Sequence, residues 1–168
     1  MYPPGFTPYA PFPPRRSAIP KVIGILAIVF SVIGVGGSAI WTFGPMSDIK
    51  SYGLEPEMGS MVTWLLLWFV ISFGLFVVHL LGGIFAIQYK PLGLRLLGIY
   101  AISAITLVVV DLILNFALMP SHFENGAHDI RFSVTVMRTA FECMAAPWPI
   151  IVLVLSKSRR AKAACNLT

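Results

Sequence analysis

Four ionisable residues interrupt long apolar stretches of this sequence, and any chemistry would have to begin with them: His79, Asp111, Arg138 and Glu142. Arg138 and Glu142 stand four residues apart. That is one helical turn, so a guanidinium and a carboxylate can pair along one face. A charge left alone near the centre of a membrane helix costs about 2.5–3.5 kcal/mol on insertion scales, and three would cost on the order of 8–10 kcal/mol. Pairing removes most of that penalty. Counted at helical rise from the outer ends of their apolar runs, Asp111 lies about 12 Å deep and Arg138 about 9 Å deep. The spacing therefore allows a buried charge cluster of Asp111, Arg138 and Glu142. One base between two acids leaves one carboxyl able to hold a proton, because apolar surroundings favour the neutral form. The plain reading is a structural clamp between the third and fourth helices. The sharper reading is a proton- or ion-handling site, since intramembrane ionisable groups often mark such pathways. His79 falls in the inner half, too deep to touch the cluster directly. It can extend a proton path inward or serve as a hydrogen-bonded packing residue.

Other reactive arrangements are missing from the sequence. No Ser/His/Asp set, phosphate-cradling glycine loop or Cys-x-x-Cys pair occurs, so we assign no catalytic residue and no cofactor and expect a non-enzymatic protein. His122, Glu124, His128 and Asp129 lack tight ligand spacing and read as a solvated loop turning at Gly126, not as a metal site. Cys143 lies inside an apolar run and Cys165 in the final tail, so no disulfide is expected between them. Pro11-Phe12-Pro13-Pro14-Arg15-Arg16 has the spacing of a ligand for SH3-type grooves, a string that proline-rich tails readily supply. The ending Cys165-Asn166-Leu167-Thr168 has the length of a prenylation box, but Asn166 is not aliphatic.

The elements that must position the ionisable residues follow from composition. Of 168 residues, 57% are hydrophobic and 11% charged, against about 25% charged in soluble domains. Mean hydropathy is +0.84. A soluble unit of this size cannot bury so much apolar surface. Four apolar runs, about 22–43, 61–89, 92–119 and 133–155, are each long enough to cross a hydrocarbon core as a helix. Residues 1–20 carry seven prolines and read as a disordered tail of polyproline II character. The first run reads as a retained span, because it is long for the apolar core of a signal peptide. The expected organisation is a tail over 1–20, a four-helix membrane domain over 21–156 and a basic tail over 157–168.

Orientation follows from Lys and Arg. Arg15, Arg16 and Lys21 precede the first run, Lys90 and Arg95 flank the turn between the second and third, and Lys157, Arg159, Arg160 and Lys162 follow the fourth. The opposite loops hold Lys50 and Arg131 beside Asp48, Glu55, Glu57, Glu124 and Asp129. The positive-inside rule places both ends in the cytoplasm. Basic residues gathered at span ends, without an aromatic-interleaved basic face, argue against nucleic acid despite a pI near 9.5. The C-terminal cluster can lie on anionic lipid.

Each run also has one small or polar strip. Gly24, Ala27, Ser31, Gly34 and Ser38 recur at spacings of three and four, which lets another helix approach closely, within the chain or between subunits. Ser72, His79, Gly83 and Ala86 mark the second run, Ala101, Ala104, Asp111 and Asn115 the third, and Thr135, Arg138, Glu142 and Ala145 the fourth. Turned inward, the strips predict an all-α, antiparallel four-helix bundle with both ends on the cytoplasmic side. Pro147 and Pro149 remove the donors to the Cys143 and Ala145 carbonyls and predict a kink. The strip on the first helix also suits a homo-oligomer or a larger membrane complex.

The entry segment Pro20-Lys21-Val22-Ile23-Gly24-Ile25-Leu26-Ala27-Ile28-Val29-Phe30, behind a proline-rich tail, resembles the small, uncharacterised four-helix membrane proteins of bacteria. That resemblance implies a bacterial inner-membrane protein and supplies no functional residues. Outer loops without cysteine set the chain apart from tetraspanin- and claudin-like proteins.

Overall fold

The computed structural model describes residues 17–51, 53, 55–118, 136 and 139–166, apart from the side chains of 55–58, 115, 116, 118 and 166, and these residues form helices with no strand among them. Helix α1 is Ile19–Ser51, α2 Glu55–Ile87 and α3 Pro91–Leu118. A further span, Thr139–Lys157, divides at Ala146 into α4 (139–145) and α5 (Pro147–Lys157). Helix α6 (Arg159–Asn166) follows. Four of these stretches are long and apolar enough to cross a membrane, yet only 17–28% of each one's most apolar window is buried. Val32, Ile40, Val70, Ile113 and Val154 are all more than 60% exposed. Apolar surface on that scale calls for lipid.

Helices outrun the apolar runs that announced them. α1 continues from Phe43 through Gly44 and Pro45 to Ser51, and α2 starts at Glu55. Hydropathy marks where a helix crosses hydrocarbon, not where its hydrogen bonds end. Thirty-three residues of α1 make a rod about 50 Å long against a hydrocarbon core of about 30 Å. At its start the Ser17 hydroxyl accepts the Ile19 N–H at 3.3 Å. Pro20, which has no N–H to leave unbonded, occupies the first turn. The 1–16 part of the tail lies outside the described residues, as does the Pro11–Arg16 string.

α1 and α2 approach most closely at two glycines. A Cβ on Gly24 would stand 2.6 Å from the Gly83 carbonyl oxygen, and one on Gly83 would stand 2.8 Å from that of Gly24. Further along, Gly34 receives the ring of Phe76. The small strip of α1 is thus used inside the chain, against α2. The α2–α3 turn is equally tight. Tyr89 adopts φ 57°, its N–H donates to the Ala86 carbonyl at 3.0 Å, and Lys90 N–H donates to Phe85 at 2.9 Å. This is a Schellman ending with tyrosine where glycine is usual. Pro91 then opens α3, and Gly93 lies against the Phe85–Ala86 backbone. Lys21 Nζ sits over the Tyr89 ring at 5.6 Å, so the start of α1 covers the turn.

The apolar core lies toward this end: Ile23, Ala27, Ala86, Leu97, Tyr100, Ala101 and Val152. The prolines in the fourth span interrupt the helix at Ala146 while leaving that residue helical, at φ −56° and ψ −36°. Its N–H still donates to the Glu142 carbonyl at 2.8 Å. Beyond Lys157 the expected basic tail is a structured helix. Ser158 Oγ caps it by accepting the Ala161 N–H at 3.2 Å. Ala161, Ala164 and Cys165 are buried, with Ala161 and Cys165 packed with Leu94 and Ile19. Arg159, Arg160 and Lys162 face outward. The amphipathic pattern was hidden in the sequence because alanines, not large apolar residues, make the buried face.

Two predictions follow from this packing. Gly83→Leu forces α1 and α2 apart and lowers stability by about 1–3 kcal/mol, read as a drop in thermal unfolding midpoint in detergent. Gly74→Leu, where an added Cβ meets nothing within 4 Å, leaves the midpoint unchanged or slightly higher. In the second, burial pushes the Cys165 thiol pKa up, so less thiolate is present at a given pH. A water-soluble maleimide labels it at least about tenfold more slowly in the folded protein than in SDS. Ala161→Arg, which undocks α6, abolishes that protection.

Candidate functional site

Between the core and the opposite end lies a layer of polar contacts centred on His79, which is fully buried. Its position on α2 is set by the α1–α2 register, in which Gly24 meets Gly83 and Gly34 meets Phe76. Ser31 therefore faces it, with Oγ 3.0 Å from Nδ1. The Ser31 hydroxyl donates to the Ala27 carbonyl at 2.7 Å, so it accepts from Nδ1–H. On the other side of the ring, Trp148 Nε1–H donates to Nε2 at 3.2 Å. These two bonds assign the imidazole its Nδ1–H tautomer, with donor and acceptor both used. Tyr100 of α3 stacks on the ring at 3.8 Å between centroids and 6° between planes. Trp148 in turn stacks on Phe30 of α1 at 4.4 Å. One imidazole thus touches residues of α1, α3 and α5 while belonging to α2.

Asp111 is fully buried and accepts a short hydrogen bond, 2.6 Å, from Trp64 Nε1–H of α2. Glu142 on α4 is 3% exposed. It lines a cavity whose wall also includes Leu107 and Val108, and Asp111 stands one turn beyond Leu107 on α3. Arg138 and Thr135 lie outside the described residues, so the structure gives no geometry for the three-residue cluster. His79 does not join Asp111. Its stacking partner Tyr100 precedes Asp111 by eleven residues, about 16 Å along α3. Of the other strip residues, Ser38, Ser72, Ala86 and Ala101 are buried, whereas Ala145 is exposed on the rim of the cavity. Cys143 faces outward. The loop residues His122, Glu124, His128 and Asp129 also lie outside the described residues.

The cavity, about 510 Å³, separates α1 from the fourth span. Two ring pairs bridge its ends: Phe30 with Trp148, and Trp41 with Phe141 at 5.1 Å. Ile33, Met144 and Ile151 form its rim and are 62%, 75% and 47% exposed. An apolar rim of this kind opens sideways, toward lipid. Ser38 and Ser72 are among the lining residues, the Ser38 hydroxyl donating back to the Val35 carbonyl at 2.9 Å.

Comparison with protein-family models, with curated proteins and with solved structures gave no match. The geometry alone must carry the reading.

Sequence reasoning missed Trp148, Tyr100 and Trp64 as partners of the interior polar groups. Trp148 was hidden between two prolines that drew attention to the backbone. Trp64 lies near the start of the second apolar run, where tryptophan is common as a membrane-interface residue. A signal for it was present: antiparallel helices joined by a tight turn pair residues equally far from that turn, and Trp64 and Asp111 stand 25 and 22 residues either side of Tyr89.

Substitution distinguishes the two ties. Trp148→Phe keeps the ring but leaves Nε2 without its donor, and lowers stability by about 1 kcal/mol. Trp64→Phe removes a bond to a carboxyl group and costs more, about 1.5–3 kcal/mol. Thermal unfolding of the two variants side by side checks the order.

Proposed function

We propose that this is a non-enzymatic multi-pass membrane protein that serves as a structural or interaction component of a membrane assembly, with its ends and the α2–α3 turn in the cytoplasm. The observation that carries the reading is how the interior polar groups are used. His79 has both ring nitrogens tied to other helices, and Asp111 receives Trp64 across the α2–α3 interface. Such contacts hold spans together; a transport path instead needs groups that exchange partners. Lys21, Lys90 and the α6 cations gather at one end of the bundle, which agrees with cytoplasmic placement under the positive-inside rule. Resemblance to small bacterial proteins makes the bacterial inner (plasma) membrane the proposed location. The inner strip of α1 is occupied by α2, so contact with a second copy or a larger complex would use the outer face. There Gly36 and Gly44 have open space where a Cβ would be and stand eight residues apart, in line with Val32 and Ile40.

The alternative, a small transporter or channel subunit using Asp111, Arg138 and Glu142, makes opposite predictions. Proteoliposomes containing the protein should show no proton or ion flux above empty vesicles, while the solubilised mass exceeds one chain and falls in Gly36→Leu. Flux that disappears in Asp111→Asn or Glu142→Gln would overturn the proposal. For topology, a fluorescent reporter that matures only in the cytoplasm should be bright after Thr168 and dark between α1 and α2.

A further inference from the structure

A groove of about 640 Å³ opens at the basic end of the bundle, between α3, α5 and α6. Three exposed cations stand on its wall, one from each helix: Arg95 of α3, Lys157 of α5 and Lys162 of α6. Helix packing does not require that convergence, because α6 docks through Ala161 and Cys165. No Asp or Glu occurs in residues 58–110 or 143–168. The nearest carboxylates along the spans, Asp111 and Glu142, stand sixteen residues after Arg95 and fifteen before Lys157, more than about 20 Å away at helical rise. The counter-charge must come from outside the chain. The wall changes character with depth. From Arg95, α3 continues past Gly98 and Ile99 to Ile102, about 10 Å into the span. Ile99 and Ile102 are 56% and 52% exposed. Gly98 leaves a trough beside them, where an added Cβ would find only Ser156 Oγ, at 3.9 Å. Charge at the end of the span with apolar surface below it matches the order of head and chain in a phospholipid, and basic pockets between membrane helices hold anionic headgroups in this way.

We propose that this groove binds one anionic phospholipid, with its phosphate among Arg95, Lys157 and Lys162 and an acyl chain along Gly98, Ile99 and Ile102. A guanidinium can hold two phosphate oxygens at once, and the lysines add point charge. A free phosphate would leave the apolar trough unused, and a zwitterionic lipid would leave the three cations without net counter-charge. The site is more than attraction of a basic tail to a negative surface. Arg159 and Arg160, exposed on the same α6, stand outside the groove.

The test titrates dioleoylphosphatidylglycerol, dioleoylphosphatidylcholine or inorganic phosphate into the full chain in dodecyl maltoside. Retained lipid is counted by native mass spectrometry while the unfolding midpoint is followed. Phosphatidylglycerol is expected to bind saturably, one per chain, and to raise the midpoint. Phosphatidylcholine, with the same chains, should bind at least about fivefold more weakly, and phosphate at the same concentrations should leave the midpoint unchanged. Arg95→Gln, Lys157→Gln and Lys162→Gln should each weaken phosphatidylglycerol about fivefold, whereas Arg160→Gln, which removes the same charge from α6 outside the groove, should weaken it less than about twofold. Absence of saturable binding, equal binding of the two lipids, or an equal effect of inorganic phosphate would each overturn the proposal. Equal losses in Arg160→Gln and Lys162→Gln would overturn it too, by showing diffuse surface attraction. A wild-type unfolding midpoint for each lipid-free variant excludes misfolding as the cause of a loss.

Discussion

A neutral imidazole offers one donor and one acceptor, and in hydrocarbon neither can be left to water. His79 meets that constraint with Ser31 on one helix and Trp148 on another, while Tyr100 of a third covers its face. Much of the interior depends on this. Ser31 can reach Nδ1 only if α1 and α2 run at glycine-to-glycine distance, and Gly24 and Gly83 permit that approach. Trp148 can reach Nε2 only if α5 turns its first residues inward, which the interruption at Ala146 allows. The ring therefore couples the most extensive interface, α1 with α2, to a sparse one, α1 with the fourth span.

That contrast in packing shapes the molecule along its length. Toward the basic end, small residues bring all four spans together and the core is apolar and closed. Past His79 the fourth span draws away from α1, leaving aromatic pairs to bridge the gap. Side chains large enough to span a cleft but not to fill it produce a cavity rather than a collapsed interface. The polar groups follow the same division. Where the helices are close, hydroxyl and imidazole meet directly; where they are apart, Ser72 and Glu142 stand among the residues that line the cavity.

Much of this was legible in the residues. Four spans follow from hydropathy, because lipid exposure demands long apolar runs and little else. The inward face of α1 was legible from the spacing of Gly24, Ala27, Ser31 and Gly34, but its partner was not, since the pattern fits α2 and a second subunit equally well. Helix ends at Ser51 and Glu55 were invisible because helical hydrogen bonds continue into polar sequence. The interior ties were the least legible. Formal charge directed attention to Arg138 as a partner for Asp111; the indole of Trp64 supplies a further donor, one that carries no charge. Helix α6 escaped notice for a related reason: its buried face is built from alanine and cysteine, which carry little apolar weight.

The docking of α6 has a consequence for the order in which the molecule is made. Ile19, at the start of α1, packs with Ala161 and Cys165, so that contact joins residues separated by nearly the whole described chain. Spans that enter a membrane one after another can pair as neighbours while synthesis continues. The patch formed by Ile19 and Leu94 cannot be covered until the final helix has emerged. During insertion the basic end of the bundle is therefore open until α6 docks against it.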